Sequence, residues 1–141
     1  RVTGNGAELA PAVLFLSGVQ HYAETPQGMA TVPDYVREMM KEIPVSWDET
    51  MFIDGHPGRY IVLARRSGNV WYYAGVNAQK DTLGLNLKLP FAGGISGTII
   101  TEGETLRSFT QDTVMPDGSG MATVQIVPGG GFVIRFEKPA L

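Results

Sequence analysis

Tyr60-Ile-Val-Leu-Ala-Arg-Arg66, then Ser67-Gly68-Asn69, then Val70-Trp-Tyr-Tyr-Ala-Gly-Val76 is the stretch that decides how this chain folds. Two runs rich in β-branched and aromatic residues flank a short segment with a central glycine. That is the pattern of two strands joined by a tight turn, in which glycine supplies the positive φ. In the first run Tyr60, Val62 and Ala64 alternate with Ile61, Leu63 and Arg65. In the second, Val70, Tyr72, Ala74 and Val76 alternate with Trp71, Tyr73 and Gly75. A period of two sends each set to its own face of a sheet, with one face committed to a core.

The same reading extends toward the C-terminus. Leu83, Leu85, Leu87 and Leu89 alternate with Gly84, Asn86 and Lys88 and are expected to face the core together. Met51–Ile53, Ile95–Thr101, Arg107–Val114, Ala122–Val127 and Gly131–Phe136 supply further strands. Asp54-Gly55, Pro57-Gly58, Gly93-Gly94, Asp117-Gly118 and Gly129-Gly130 supply turns between them. Gly129-Gly130-Gly131 enters a strand and not a helix, so it is turn chemistry and no phosphate loop. About eight short strands at this spacing predict a mainly β fold, an antiparallel β-sandwich.

Before Pro44 the period is helical. Leu9, Val13 and Leu16 fall at i, i+4, i+7, and Val36, Met39, Met40 and Ile43 at i, i+3, i+4, i+7. The second of these helices has Pro33 and Asp34 at its start and Pro44 just past its end, where proline is tolerated and where it terminates. Between them Gly18–Ala23 reads as a buried strand and Glu24–Thr31 as a loop. The chain therefore divides into residues 1–43, a helix-strand-helix unit, and residues 44–141, the sandwich.

Composition narrows the function. The 141 residues suffice for one ordinary domain but not for a TIM barrel, which needs about 250 residues. A net charge of −3, with no Lys/Arg cluster interleaved with aromatics, gives no field for a phosphate backbone, so nucleic acid is not an expected partner. No apolar run reaches the roughly 18 residues of a membrane span. With no cysteine, disulfides, thiolate metal sites and cysteine nucleophiles are excluded.

Four motifs then carry a resemblance: Ile43-Pro-Val-Ser-Trp-Asp-Glu-Thr50; Asp54-Gly55, Pro57-Gly58 and Tyr60-Ile-Val-Leu-Ala-Arg-Arg66; Trp71-Tyr-Tyr-Ala-Gly75; and Gly129-Gly-Gly-Phe132. In order and spacing they resemble the carboxy-terminal part of family 97 glycoside hydrolases. Upstream, Ala12-Val-Leu-Phe-Leu-Ser17 and Gly18-Val-Gln-His-Tyr-Ala-Glu-Thr-Pro26 resemble the end of that family's catalytic barrel, although Gly18-Val19-Gln20-His21 departs from its usual Pro-Leu-Gln-Met. The resemblance implies an exo-acting parent enzyme on α-linked glucose or galactose, with calcium at its active site and a periplasmic or secreted location. It places the catalytic and calcium-binding carboxylates upstream of Arg1. It also implies that residues 1–43 are a TIM-barrel remnant and that the sandwich supports the barrel and builds a homo-oligomer. No cofactor is expected within this chain.

Asp48 and Glu49 are a tempting pair of carboxylates, but neighbours on an extended chain point apart, whereas glycoside hydrolysis needs two carboxyl groups facing across one bond. They are expected to cap the sandwich over Trp47, with Arg65 or Arg66 pairing one of them and the other arginine facing solvent. His21, Glu24 and Thr25 follow a candidate barrel strand, the place where a TIM barrel builds its pocket rim. Trp71 and Tyr73 lie opposite Tyr72. One set must be core, and the other either packs against the barrel or a second subunit, or forms the sugar platform of a carbohydrate-binding module. The helical apolar residues from Leu9 to Val19 are expected to exceed what the sandwich can cover, leaving a contact surface.

Overall fold

The computed structural model describes residues 4–10, 13 and 32–138. Gly18–Ala23, expected to form a strand, and with it His21, Glu24 and Thr25, lies outside the described residues.

Eight antiparallel strands form the body: β1 (Glu49–His56), β2 (Tyr60–Ser67), β3 (Val70–Asn77), β4 (Leu83–Lys88), β5 (Gly97–Glu102), β6 (Phe109–Val114), β7 (Met121–Ile126) and β8 (Gly131–Glu137). Six make one sheet in the order β1-β2-β3-β8-β5-β6, and β4 pairs with β7 in a second sheet. The mainly β sandwich read from the alternation is the fold observed. The β2–β3 hairpin runs in continuous register from Tyr60↔Asn77 to Ser67↔Val70, closed by Gly68 at φ +60°.

Among the described residues two helices precede the strands, α1 (Asn5–Leu9) and α2 (Asp34–Glu42). Pro33 occupies the N-cap of α2, and Ile43 leaves the helix in an extended conformation just before Pro44, as those prolines require. Both helices lie on the outer face of the six-stranded sheet. Leu9, Val13, Val36, Met39, Met40 and Ile43 share a buried cluster there with Tyr72, Ala74, Ile100 and Val133. On the opposite face Val62, Ala64, Trp71, Tyr73, Phe132, Ile134 and Phe136 meet Leu85, Leu87, Val124 and Ile126 of the second sheet. The molecule is thus helices, large sheet, small sheet, with β3 and β8 buried on both sides.

The leucine row behaves as alternation demands: Leu85, Leu87 and Leu89 are buried and Leu83 packs partly buried against the same cluster. One expectation needs correction. Asp54-Gly55 is not a turn: β1 runs through it to His56, with a bulge between Phe52 and Asp54, and the reversal comes at Pro57–Arg59 with Gly58 at φ +75°. Of the helical apolar residues expected to leave a contact surface, Leu9 and Val13 are buried against the apolar outer face of β3, β8 and β5, and Leu14, Phe15, Leu16 and Val19 lie outside the described residues.

Candidate functional site

The motif region Trp47–Arg66 is an ion-paired corner. Asp48 N–H donates to the Arg66 carbonyl at 2.8 Å, which brings the start of β1 against the end of β2. The Arg66 guanidinium then gathers both acids: Nε lies 3.2 Å from Glu49 Oε1 and Nη1 lies 3.7 Å from Asp48 Oδ2. Asp48 Oδ2 also accepts from Gly68 N–H at 2.7 Å, tying the corner to the β2–β3 turn. Both carboxylates turn toward the same cation, and Asp48 toward a backbone amide as well, so the pair forms an ion-paired corner at the surface of the sandwich.

Arg65 differs from expectation. It does not face open solvent; its Nε and Nη1 are buried and donate to no partner among the described residues, and its guanidinium carbon sits 5.8 Å from the centre of the Trp47 ring. Trp47 in turn meets Tyr72 edge-on, with centroids 5.5 Å apart. The register Thr50↔Arg65↔Tyr72 explains the difference: Arg65 is on the helix-side face of the sheet, where aromatic side chains cover it. Arg135, beside it on β8, is better provided. It donates to the Tyr72 hydroxyl at 3.2 Å and pairs with Glu42 of α2 at 3.0 Å and with Glu137 at 3.1 Å. Burial of the Tyr72 hydroxyl pushes its pKa up, against the pull of Arg135.

The aromatic platform is absent at the positions considered. Trp71 and Tyr73 are buried between the sheets, and Tyr72 is buried under the helices. Tyr73 donates its hydroxyl to the Pro90 carbonyl, and burial raises its pKa well above the usual tyrosine value. Phe91, 49% exposed, stacks on Trp71 with centroids 4.9 Å apart and has Lys138 Nζ 5.2 Å from its ring centre. Packing is what Trp71, Tyr72 and Tyr73 do.

One buried acid escaped the sequence reading. Glu102, at the end of β5, accepts from Ala7 N–H of α1 at 3.0 Å and from Gly131 N–H at 3.1 Å and 3.2 Å. Its carboxylate thereby supplies acceptors for unpaired amides at the first turn of α1 and the start of β8. Glycines make the approach possible: a Cβ on Gly131 would lie 2.7 Å from the Ala7 Cα, and one on Gly130 2.6 Å from Glu102 Oε1. The glycine triplet is therefore both turn and docking groove, and Gly4 N–H donates to the Gly129 carbonyl at 2.8 Å. The signal in the sequence was small residues at both ends, Gly4 and Gly6 as well as Gly130 and Gly131.

Beyond the helices the same sheet face opens into a groove of about 500 Å³ at the β1–β2 end, lined by Phe52, His56, Pro57, Tyr60, Ile61 and Val76. No group of three or more His, Asp or Glu side chains gathers among the described residues. No described helix is long and apolar enough to cross a membrane.

A family model described as "Glycosyl-hydrolase 97 C-terminal, oligomerisation" matches residues 46–137. The retaining alpha-galactosidase of Bacteroides thetaiotaomicron is 30% identical over 138 residues, covering 92% of this chain and 20% of that protein. A probable retaining alpha-galactosidase of Streptomyces bingchenggensis is 30% identical over 129 residues, covering 91% of this chain and 20% of that protein. Among solved structures, a beta-arabinopyranosidase superposes with a TM-score of 0.86 at 36% identity, over 96% of this chain and 21% of that one. A family 97 glycoside hydrolase variant from a Pseudoalteromonas species superposes at 0.79 and 22% identity, over 98% of this chain and 23% of that one, a likeness of fold. The chain thus spans about a fifth of the length of the curated relatives it matches.

Proposed function

Because the chain belongs to the family of C-terminal oligomerisation domains of family 97 glycosyl hydrolases, we propose that it works as the non-catalytic end of a longer, exo-acting α-glycosidase. In this reading it braces the catalytic barrel through the helix-side face of its large sheet and brings copies of the enzyme together. The observation that carries it is the ion-paired corner. The adjacent acids of the matched motifs, Asp48 and Glu49, are both held by Arg66, an arrangement that supports a packing role for this corner.

The rest concerns the parent. Its substrate is proposed as an α-galactoside, or a pentopyranoside accepted by the same kind of site, from the named activities of the relatives. Its calcium and its catalytic carboxylates would be supplied by the barrel. His21, Glu24 and Thr25 would stand at the rim of that barrel's pocket, and the enzyme would act in the periplasm or outside the cell. The test of the assembly role is sedimentation equilibrium of the purified chain at tens of micromolar. A mass of at least two chains is expected, and a monomer would contradict it.

A further inference from the structure

We propose that Arg65 receives a carboxylate from the catalytic barrel of the parent enzyme, as a second ion-pair anchor beside the one built on Arg135. The inference rests on the bracing role proposed above and adds to it the residue and the chemistry of the contact.

One row of paired residues crosses the helix-side face of the large sheet: Thr50 on β1, Arg65 on β2, Tyr72 on β3, Arg135 on β8 and Thr98 on β5. Its two arginines flank Tyr72 and are provided for unequally. Arg135 has oxygen acceptors in the Tyr72 hydroxyl, Glu42 and Glu137. Arg65 has Nε and Nη1 shut from solvent with no acceptor among the described residues, and its guanidinium faces the Trp47 ring. An aromatic face attracts the charge but supplies no oxygen to the N–H groups. Buried donors left without acceptors are costly and uncommon in native proteins, and more costly on a cation. The acids of this corner are engaged elsewhere, Asp48 and Glu49 on Arg66, Glu42 and Glu137 on Arg135. An acceptor for Arg65 therefore has to come from outside the described residues.

Arg135 shows where such an acceptor comes from. The matched C-terminal region begins at residue 46, so α1 and α2 adjoin it from outside, and both pack on this face. One of them already delivers a carboxylate to the row, Glu42 of α2 to Arg135 at 3.0 Å. On the other flank of Tyr72 the helix layer ends: Trp47 is half-buried, Thr50 is exposed, and Val45, between α2 and β1, is 85% exposed. Arg65 thus stands at the border of the face on which the adjoining part of the enzyme packs. A neutral or cationic surface there would leave its donors unmet. An aspartate or glutamate of the barrel would satisfy them, in the kind of charge-assisted bond that Glu42 makes to Arg135.

Arg65→Met keeps most of the side chain's length and removes its donors, and Arg65→Lys keeps the charge. Protection of the β2 and β3 amides against hydrogen exchange reports the stability of this domain, both in the isolated chain and in the full-length enzyme. The wild-type domain is expected to be better protected in the full-length enzyme. Arg65→Met is expected to leave protection in the isolated chain unchanged or higher, because the unmet donors are gone. In the full-length enzyme it is expected to lower protection at least about 10-fold, because a charge-assisted pair is lost, and Arg65→Lys to lower it less. A fall with Arg65→Met in the isolated chain overturns the proposal: the acceptor then lies on a second copy or within this chain, whose one acidic side chain outside the described residues is Glu24. Equal protection of wild type and Arg65→Met in a full-length enzyme that does protect the domain overturns the anchor and leaves the bracing role intact. A wild-type domain no better protected in the full-length enzyme overturns both.

Discussion

The two faces of the six-stranded sheet are made by the same strands and do different work. Toward the small sheet, every contributing strand sends apolar side chains into one closed cluster that includes Trp71, Tyr73, Phe132 and Phe136. Toward the helices the apolar centre is smaller, and polar groups are set into it: Arg65 against Trp47, Arg135 between Tyr72 and Glu42, and Glu102 at the first turn of α1. A face filled by hydrocarbon alone needs only volume, whereas a face that seats separate elements needs directional groups to fix where each one lies. The contrast identifies the inner face as the source of stability and the outer one as the place where other pieces attach.

Breaking the inner face should have the largest effect. Leu87 is buried on β4 with its side chain between the sheets, so Leu87→Ala leaves a cavity and is expected to destabilise by about 2–5 kcal/mol in urea unfolding. A loss below half a kcal/mol would show that the small sheet is not part of the closed core.

The outer face should respond less and more locally. Glu102→Gln preserves shape but turns an amide nitrogen toward N–H donors, so one buried group must lose its partner at a cost of about 1–3 kcal/mol. Hydrogen exchange at Ala7 should accelerate more than exchange in β2 and β3. Uniform acceleration would mean that Glu102 holds the whole sheet and not the attachment of α1.

Much of the inner face was legible in the sequence, because strict alternation in β2, β3 and β4 leaves one way to bury leucines and aromatics. The partnership of β4 with β7 was not legible: hairpin logic pairs neighbours, and nothing local in Leu83–Lys88 says that its partner arrives after two more strands. The burial of β3 on both faces was half visible, since Val70–Val76 is apolar at nearly every position, the mark of a strand covered twice. Asp54-Gly55, paired in β1 just past the bulge, imitates a turn because the same dipeptide is common in hairpin turns. Glu102 was invisible for a different reason. A glutamate before a glycine at a strand end normally meets water, and its partner Ala7 is 95 residues away. The corner residues Asp48, Glu49 and Arg66 were readable because motif and charge sign agreed, while the fate of Arg65 depended on a face that the spacing alone did not cover.

The smallest expected effect lies outside both faces and calibrates them. In the β6–β7 turn the Asp117 carboxylate accepts from the Ser119 hydroxyl and from the amides of Met121 and Ser119, which hold its pKa below the usual aspartate value. A lowered folded pKa means that the turn's contribution is present above the ordinary carboxylate range and is lost as pH falls through the depressed value. Carboxyl NMR titration should place Asp117 below the ordinary aspartate value, and Ser119→Ala should move it up without altering exchange in either face. An unshifted midpoint would remove the hydroxyl from the account.

The central claim, that this domain serves assembly and not catalysis, is tested most directly by incubating the purified chain with a nitrophenyl α-galactoside. The account predicts nitrophenol release indistinguishable from the protein-free background, because Asp48 and Glu49 share Arg66 and no other acidic pair stands in the matched motifs. Turnover above background that disappears in Asp48→Asn or Glu49→Gln would contradict it.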